Sequence, residues 1–193
     1  MNTTDLNKGN ITAKRKNKAI FADRDGTLVE DPGYVHKIND FKLIDRAIDA
    51  LKLLKNDFKL FIITNQSGIS RGIFTLKDFE KFNNYLVNIL KKNNITIEKT
   101  YVCPHHPDEN CDCRKPSIKF IKEAEKEFDI DLKNSWVIGD HPHDIKMGEK
   151  AGCKTIYVLT GHGEKNKNEL NGNIKPEFIA KNIYEAAKII INQ

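Results

Sequence analysis

The run Phe58-Lys-Leu-Phe-Ile-Ile63 leaves the chain little choice of fold. Apart from Lys59 it is apolar on both of its alternating faces, so it cannot lie on a sheet with one wet side. It calls for a strand covered from above and below, as in a parallel sheet. Parallel neighbours need crossover connections, and the rest of the chain supplies them. Ile20–Ala22 reads as a first strand. Asp45 is placed to cap a helix with Ile48, Leu51 and Leu54 on its apolar face. Thr75, with Asp78 three residues on, has the capping-box pattern, and Leu76, Phe79, Phe82, Leu86 and Ile89 line one side of the helix that follows. Ile97–Val102, Ser135–Ile138 and Thr155–Leu159 read as further strands, with helices over Ser117–Phe128 and Asp144–Ala151. The chain closes on a short strand at Phe178–Ala180 and a helix at Ile183–Ile191. The predicted class is α/β, a Rossmann-like, doubly wound parallel sheet with helices on both faces.

The 193 residues show no internal repeat and no linker, so 18–193 are expected to form a single domain. The net charge of +5 is concentrated at the start, where Lys8, Lys14, Arg15, Lys16 and Lys18 face the single acid Asp5. Residues 1–17 are accordingly expected to be a polar, basic, disordered tail. The remainder is nearly neutral and shows no extended basic stripe, which argues against nucleic acid as a partner. No apolar stretch approaches the roughly 18 residues of a membrane span. The first residues lack the apolar core of a secretory signal, so a cytoplasmic protein is expected; a monomer is expected as well.

The predicted strand ends carry the chemistry. Asp23, Thr64-Asn65, Cys103 and Asp140 each stand just past the carboxyl end of a strand, on the sheet edge where ligands bind. In the stretch AIFADRDGTLVED, Asp23 and Asp25 are two residues apart, the spacing that turns both side chains the same way. Two like charges so close need a cation, a shared proton or a catalytic task. With Asp140 they offer oxygens suited to Mg²⁺. Thr64, Asn65, Gln66 and Ser67 offer hydroxyl, amide and backbone N–H groups to phosphate oxygens, and Lys115 adds a positive charge.

DRDGT, TNQSG, CRKP and GDHPHD, in that order, resemble the four motifs of the haloacid-dehalogenase-like (HAD) phosphohydrolases, over nearly everything from Lys18 to about Thr160. The resemblance implies a phosphoric monoester hydrolase. Asp23 would be the nucleophile and form an aspartyl-phosphate, with Asp25 the general acid and base. Thr64 and Lys115 would stabilise the transferring phosphoryl oxygens. The Asp23 side chain, the Asp25 backbone carbonyl and Asp140 would hold Mg²⁺, with Asp144 in support. No insertion large enough for a cap domain follows DRDGT or TNQSG, so a capless member with an open site is expected.

Cys103-Pro-His105-His106-Pro-Asp-Glu-Asn-Cys111-Asp-Cys113 places three thiols and an imidazole at C-x-H-x₅-C-x-C spacing. In a reducing compartment such a set points to a closed, structural Zn²⁺ site instead of disulfides. It resembles the zinc loop of a subset of the same family, the heptose bisphosphate phosphatases and bacterial histidinol-phosphatases. By this reading Cys103, His105, Cys111 and Cys113 are the ligands, His106 is spare, and Cys153 is a small buried core residue. Asp31-Pro-Gly33-Tyr34-Val-His36 and TNQSGISRG resemble the D-glycero-D-manno-heptose 1,7-bisphosphate 7-phosphatases more than the histidinol-phosphatases. The substrate implied is a small phosphorylated sugar, contacted by Asp31, Gly33, Tyr34, Asn65, Gln66, Ser67, Arg114 and His141. A bisphosphate needs a second anion site; Arg114 is the favoured residue, ahead of Arg71 and His36. Against the heptose reading, the short zinc spacing looks at least as much like the histidinol-phosphatases, and His141 stands where the heptose enzymes often carry lysine. His141 and His143 are read equally as substrate contacts or as exposed helix-start residues, and Thr160–Gly163 as a plain loop.

Overall fold

The computed structural model describes residues 16–170 and 172–193. The tail reading for the first fifteen residues lies outside them, while Asn17 already pairs with Ile130, its N–H donating to Asp129 O at 2.9 Å. The described chain runs β1 (Ala19–Ala22), α1 (Ala47–Leu54), β2 (Lys59–Asn65), α2 (Leu76–Lys92) and β3 (Ile97–Cys103). It continues through α3 (Lys119–Phe128), β4 (Trp136–Gly139), α4 (Pro142–Ala151), β5 (Lys154–Val158), α5 (Gly163–Asn166), β6 (Phe178–Ala180) and α6 (Ile183–Ile191).

All six strands pair in parallel, in the order β3-β2-β1-β4-β5-β6. The apolar alternation explains why. Leu60 and Ile62 of β2 join Ile20 and Ala22 of β1 in a core shared with α1, α2 and α6. Phe61 and Ile63 join Ala19 and Phe21 in a second core, under α3 and α4. Both faces are dry, as the Phe58–Ile63 run requires. The chain winds outward from β1 to β3, then returns past β1 to β4, so the carboxyl ends of β1 and β4 flank the switch point where a doubly wound sheet opens a crevice. No inserted domain interrupts the described chain between β1 and α1 or between β2 and α2. Among the described residues no helix is long and apolar enough to cross a membrane.

The Thr75–Asp78 capping box forms as read from the sequence. Two helix starts differ. Asp45 does not cap α1: Arg46 occupies the cap position in the left-handed region, with no side-chain cap bond. Its guanidinium stacks 3.4 Å from the ring centre of Tyr184 on α6, a tertiary contact that outweighs the local capping preference. Helix α3 begins at Lys119 instead of Ser117, because the Ser117 N–H closes a turn on Arg114 O at 2.8 Å and its hydroxyl donates to Asp112 O.

Candidate active site

A cavity of about 380 Å³ opens at the carboxyl edge of the sheet. Asp23 follows β1, Thr64 and Asn65 end β2, and Asp140 follows β4; all line the cavity. So do Asp25, Gln66, Ser67, Lys115 and Asp144, with Asp31, Gly33, Tyr34, Arg114 and His141 towards its mouth. His143 and His162 join them. Arg71 and His36, the other residues considered for a second anion site, do not line it; His36 stacks on Phe74 at 4.8 Å.

Carboxylate oxygens of Asp23, Asp140 and Asp144 lie within 4.8 Å of one another, and all three residues are buried. Lys115 reaches in from the loop after β3, its Nζ 2.5 Å from Asp23 Oδ1, 2.6 Å from Asp144 Oδ1 and 3.0 Å from Ile63 O. Asn65 holds that loop, its Oδ1 accepting from the Lys115 N–H at 3.1 Å. Burial alone would depress Lys115, but the Asp144 and Asp23 carboxylates outweigh it and keep the ammonium charged. Burial pushes Asp23 up to about 7, against the pull of Lys115 and with the push of Asp144 and Asp25. Burial and the charges of Asp23 and Asp144 push Asp140 up to about 9. One ammonium does not balance three carboxylates, and a hard divalent cation fits the surplus of buried oxygen donors.

The Asp25 carboxylate stands apart from this cluster. Both of its oxygens are held by Arg24, and Gln66 Nε2 donates to Oδ2 at 2.6 Å. Gln66 Nε2 also donates to Thr64 Oγ1 at 2.8 Å, which orients that hydroxyl. Asp144 completes the cluster, its Oδ1 2.6 Å from Lys115 Nζ and its Oδ2 accepting from the His141 N–H at 3.1 Å.

Two glycines permit this packing. Gly26 (φ +82°) and Gly161 (φ +57°) both adopt left-handed backbone, and a Cβ on either would overlap Asp140 Oδ2. Thr160–Gly163 is accordingly no plain loop. Thr160 Oγ1 donates to Gly26 O at 2.6 Å and the His162 N–H donates to Asp140 Oδ2 at 2.8 Å. His162 Nε2 lies 3.2 Å from Asp31 Oδ2, across the mouth. Substituting Gly161→Ala is expected to lower the melting temperature and raise the Mg²⁺ concentration needed for half-maximal turnover by roughly tenfold, since a left-handed alanine costs about 1–2 kcal/mol before any overlap. A magnesium titration identical to that of the parent chain would count against the cradle.

The raised carboxyls also set a pH dependence. Asp23 and Asp140 bind protons more tightly folded than unfolded, where the ordinary value is 3.8. Without a cation their contribution to stability is therefore full below that value and is lost as pH climbs through about 7 and about 9. A cation that binds only the ionised pair reverses the loss. The gain in melting temperature on adding Mg²⁺ is expected to be larger near pH 8 than near pH 5; a gain that does not change with pH would contradict it.

His141 caps α4 and, with His143, sits 4.6 Å ring to ring at the cavity wall, so the side chains are both helix-start residues and part of the lining. Burial lowers both imidazoles, favouring the neutral form. Sequence reasoning missed Arg24. A cation between two acids was visible, but nothing local shows that its side chain turns inward.

Beside the cavity, Cys103, His105, Cys111 and Cys113 form a second cluster. The Sγ–Sγ distances are 3.6 Å (Cys103–Cys111) and 3.8 Å (Cys111–Cys113), and His105 Nδ1 lies 3.6 and 3.3 Å from Cys103 and Cys113. A tetrahedral zinc with Zn–S of about 2.3 Å has ligand edges near ~3.8 Å, so the set is compatible with zinc. At Cys111 the burial penalty is outweighed by the Cys113 and Arg114 N–H groups, which lower the thiol; burial raises Cys103. His106 turns away and accepts from the Asp108 N–H. Cys153 is buried in the second core, away from the set.

The comparisons agree with this geometry. The HAD-hydrolase-like family model matches residues 112–186. A D-glycero-D-manno-heptose-1,7-bisphosphate 7-phosphatase from Chlorobaculum tepidum is 39% identical over 88% of this chain and 92% of its own. The D-glycero-beta-D-manno-heptose-1,7-bisphosphate 7-phosphatase of Haemophilus influenzae is 44% identical over 75% and 83%. Among solved structures, a D,D-heptose 1,7-bisphosphate phosphatase from B. bronchiseptica, complexed with magnesium and phosphate, superposes with a TM-score of 0.83 at 27% identity, covering 91% of this chain and 98% of its own. HAD phosphatases use Mg²⁺, and the carboxylate cluster described above has the donors to hold it. Fold, ordered strand-end residues and relatives converge: this chain is a phosphatase of the HAD-like hydrolases and belongs to the D-glycero-D-manno-heptose-1,7-bisphosphate 7-phosphatase family.

Proposed function

We propose that the chain removes the 7-phosphate of a D-glycero-D-manno-heptose 1,7-bisphosphate, as a cytoplasmic monomer. The observation that carries the reaction is the single cavity in which Asp23, Asp25, Thr64, Lys115 and Asp140 meet. An Asp23 carboxylate oxygen attacks phosphorus while the bond to the sugar oxygen breaks, and Asp25 gives that oxygen a proton. Water then attacks the aspartyl-phosphate, yields a proton to Asp25 and releases phosphate and Asp23. Lys115 steadies Asp23 through its 2.5 Å contact, and with Thr64 faces the phosphoryl oxygens. Asp23, Asp140 and the Asp25 carbonyl would hold Mg²⁺, backed by Asp144; when bound it supplies positive charge to those same oxygens. Cys103, His105, Cys111 and Cys113 would hold a structural Zn²⁺.

The choice of substrate rests on the mouth. Asp31, Gly33, Tyr34, Asn65, Gln66, Ser67 and His141 line the cavity and would contact the sugar, and Arg114, which lines it too, would take the second phosphate. Burial biases His141 and His143 to neutral imidazoles, weaker anion partners than an ammonium, which keeps histidinol phosphate as the competing substrate. Turnover of both heptose bisphosphate anomers, histidinol phosphate and a 3′-phosphorylated oligonucleotide separates the readings. One heptose bisphosphate is expected to exceed the others in kcat/KM by at least about tenfold, a difference of roughly 1.4 kcal/mol. Histidinol phosphate in the lead would transfer the assignment to that substrate.

A further inference from the structure

Asp23 and Asp25 line the cavity, whereas the Arg24 side chain between them is turned into the body of the domain. It is wholly buried, at 0% exposure. Its guanidinium lies 5.1 and 5.0 Å from the ring centres of Phe79 and Phe82 on α2. From there it forks onto Asp25, Nε to Oδ1 at 2.7 Å and Nη2 to Oδ2 at 2.9 Å. Nη2 also donates to Val35 O at 3.2 Å, next to Tyr34 at the cavity mouth, and Nη1 has no hydrogen-bond partner.

Packing alone does not account for this residue. An apolar chain of similar length would fill the space against Phe79 and Phe82 without burying a charge or leaving an N–H unsatisfied. What only a guanidinium supplies is a planar, two-point grip that fixes the plane of a carboxylate, which a point charge on a flexible stem does not. We propose that Arg24 is a positioning residue, holding the Asp25 carboxylate in the orientation from which it exchanges protons and tying it to the Val35 segment beside the mouth. The proposal rests on the acid–base role of Asp25 given above.

The test compares Arg24→Lys, Arg24→Met, Asp25→Asn and the double variant Arg24→Lys/Asp25→Asn, each checked for melting temperature; Arg24→Met stands in should a buried ammonium prevent folding. A p-nitrophenyl ester has a leaving group that needs no proton, so its first, enzyme-phosphorylating step does not call on Asp25, whereas attack by water does. The expected result is a retained burst of nitrophenolate with a steady-state rate at least about tenfold lower, and on the sugar bisphosphate a kcat lowered similarly at nearly unchanged KM. The double variant should lose no more than Asp25→Asn alone, since both changes remove one function. Folded Arg24 variants with turnover within about twofold of the parent, or losses that add in the double variant, would overturn the proposal. Full activity of Asp25→Asn would instead overturn the acid–base role, and the proposal with it.

Discussion

Asp23→Asn is expected to reduce phosphatase turnover by on the order of 10³-fold or more while the protein folds as before. The amide cannot displace an alkoxide from phosphorus, so the covalent route closes at its first step. The fold should survive because the substitution removes one charge from a cluster that burial already strains: Asp23 is pushed up to about 7, and Lys115 keeps Asp144 as its partner. The cysteine cluster draws no ligand from this residue, so metal content there should be unchanged. Steady-state rates on the preferred sugar phosphate, melting temperature and metal analysis together make the check. More than about a tenth of the parent turnover, in protein free of the parent enzyme, would remove Asp23 as nucleophile.

The second large effect concerns the loop between β3 and α3. Purified protein is expected to carry stoichiometric zinc, and Cys111→Ser to lose it. Zinc bound by such ligand sets contributes on the order of 10 kcal/mol or more to the order of small loops. Cys103 belongs to the rigid end of β3, but Cys111 and Cys113 depend on a turn with no buried residue in its 3₁₀ segment, Pro107–Glu109. Arg114 and Lys115 follow at once, so losing the metal should loosen two residues that line the cavity. Expected are proteolytic cleavage within 104–113, a sheet that persists, and turnover lowered by about 10–100-fold. A Cys111→Ser protein with parent-like turnover and protease resistance, or a parent chain without zinc, would show that the thiols pack without a metal.

Much of the fold was legible because burial leaves a periodic mark. The Phe58–Ile63 run called for a strand covered on both faces, and β2 is divided between two cores as that run demands. Phe178–Ala180 and Ile183–Ile191 fall where their patterns place them. The start of α1 was not legible, since the stack of Arg46 on Tyr184 joins residues far apart in the chain and leaves no trace beside Asp45. The same holds at the site. Asp23, Thr64 and Asp140 announced themselves by standing at strand ends, but Thr160–Gly163 reads locally as a turn. Its contacts with Gly26 and Asp140 exist only once β1, β4 and β5 stand side by side.

What the sequence determined by itself was the kind of sheet and the kinds of donor at its edge, because apolar period and residue chemistry are local properties. What only the tertiary structure decided was their partnership. Lys115 lies between Asp23 and Asp144. Asp25 is taken out of the carboxylate cluster by Arg24. Each of these depends on where a side chain points and on which distant charge it meets, and in a crowded, low-dielectric interior those two things set both the cost of a charge and its use.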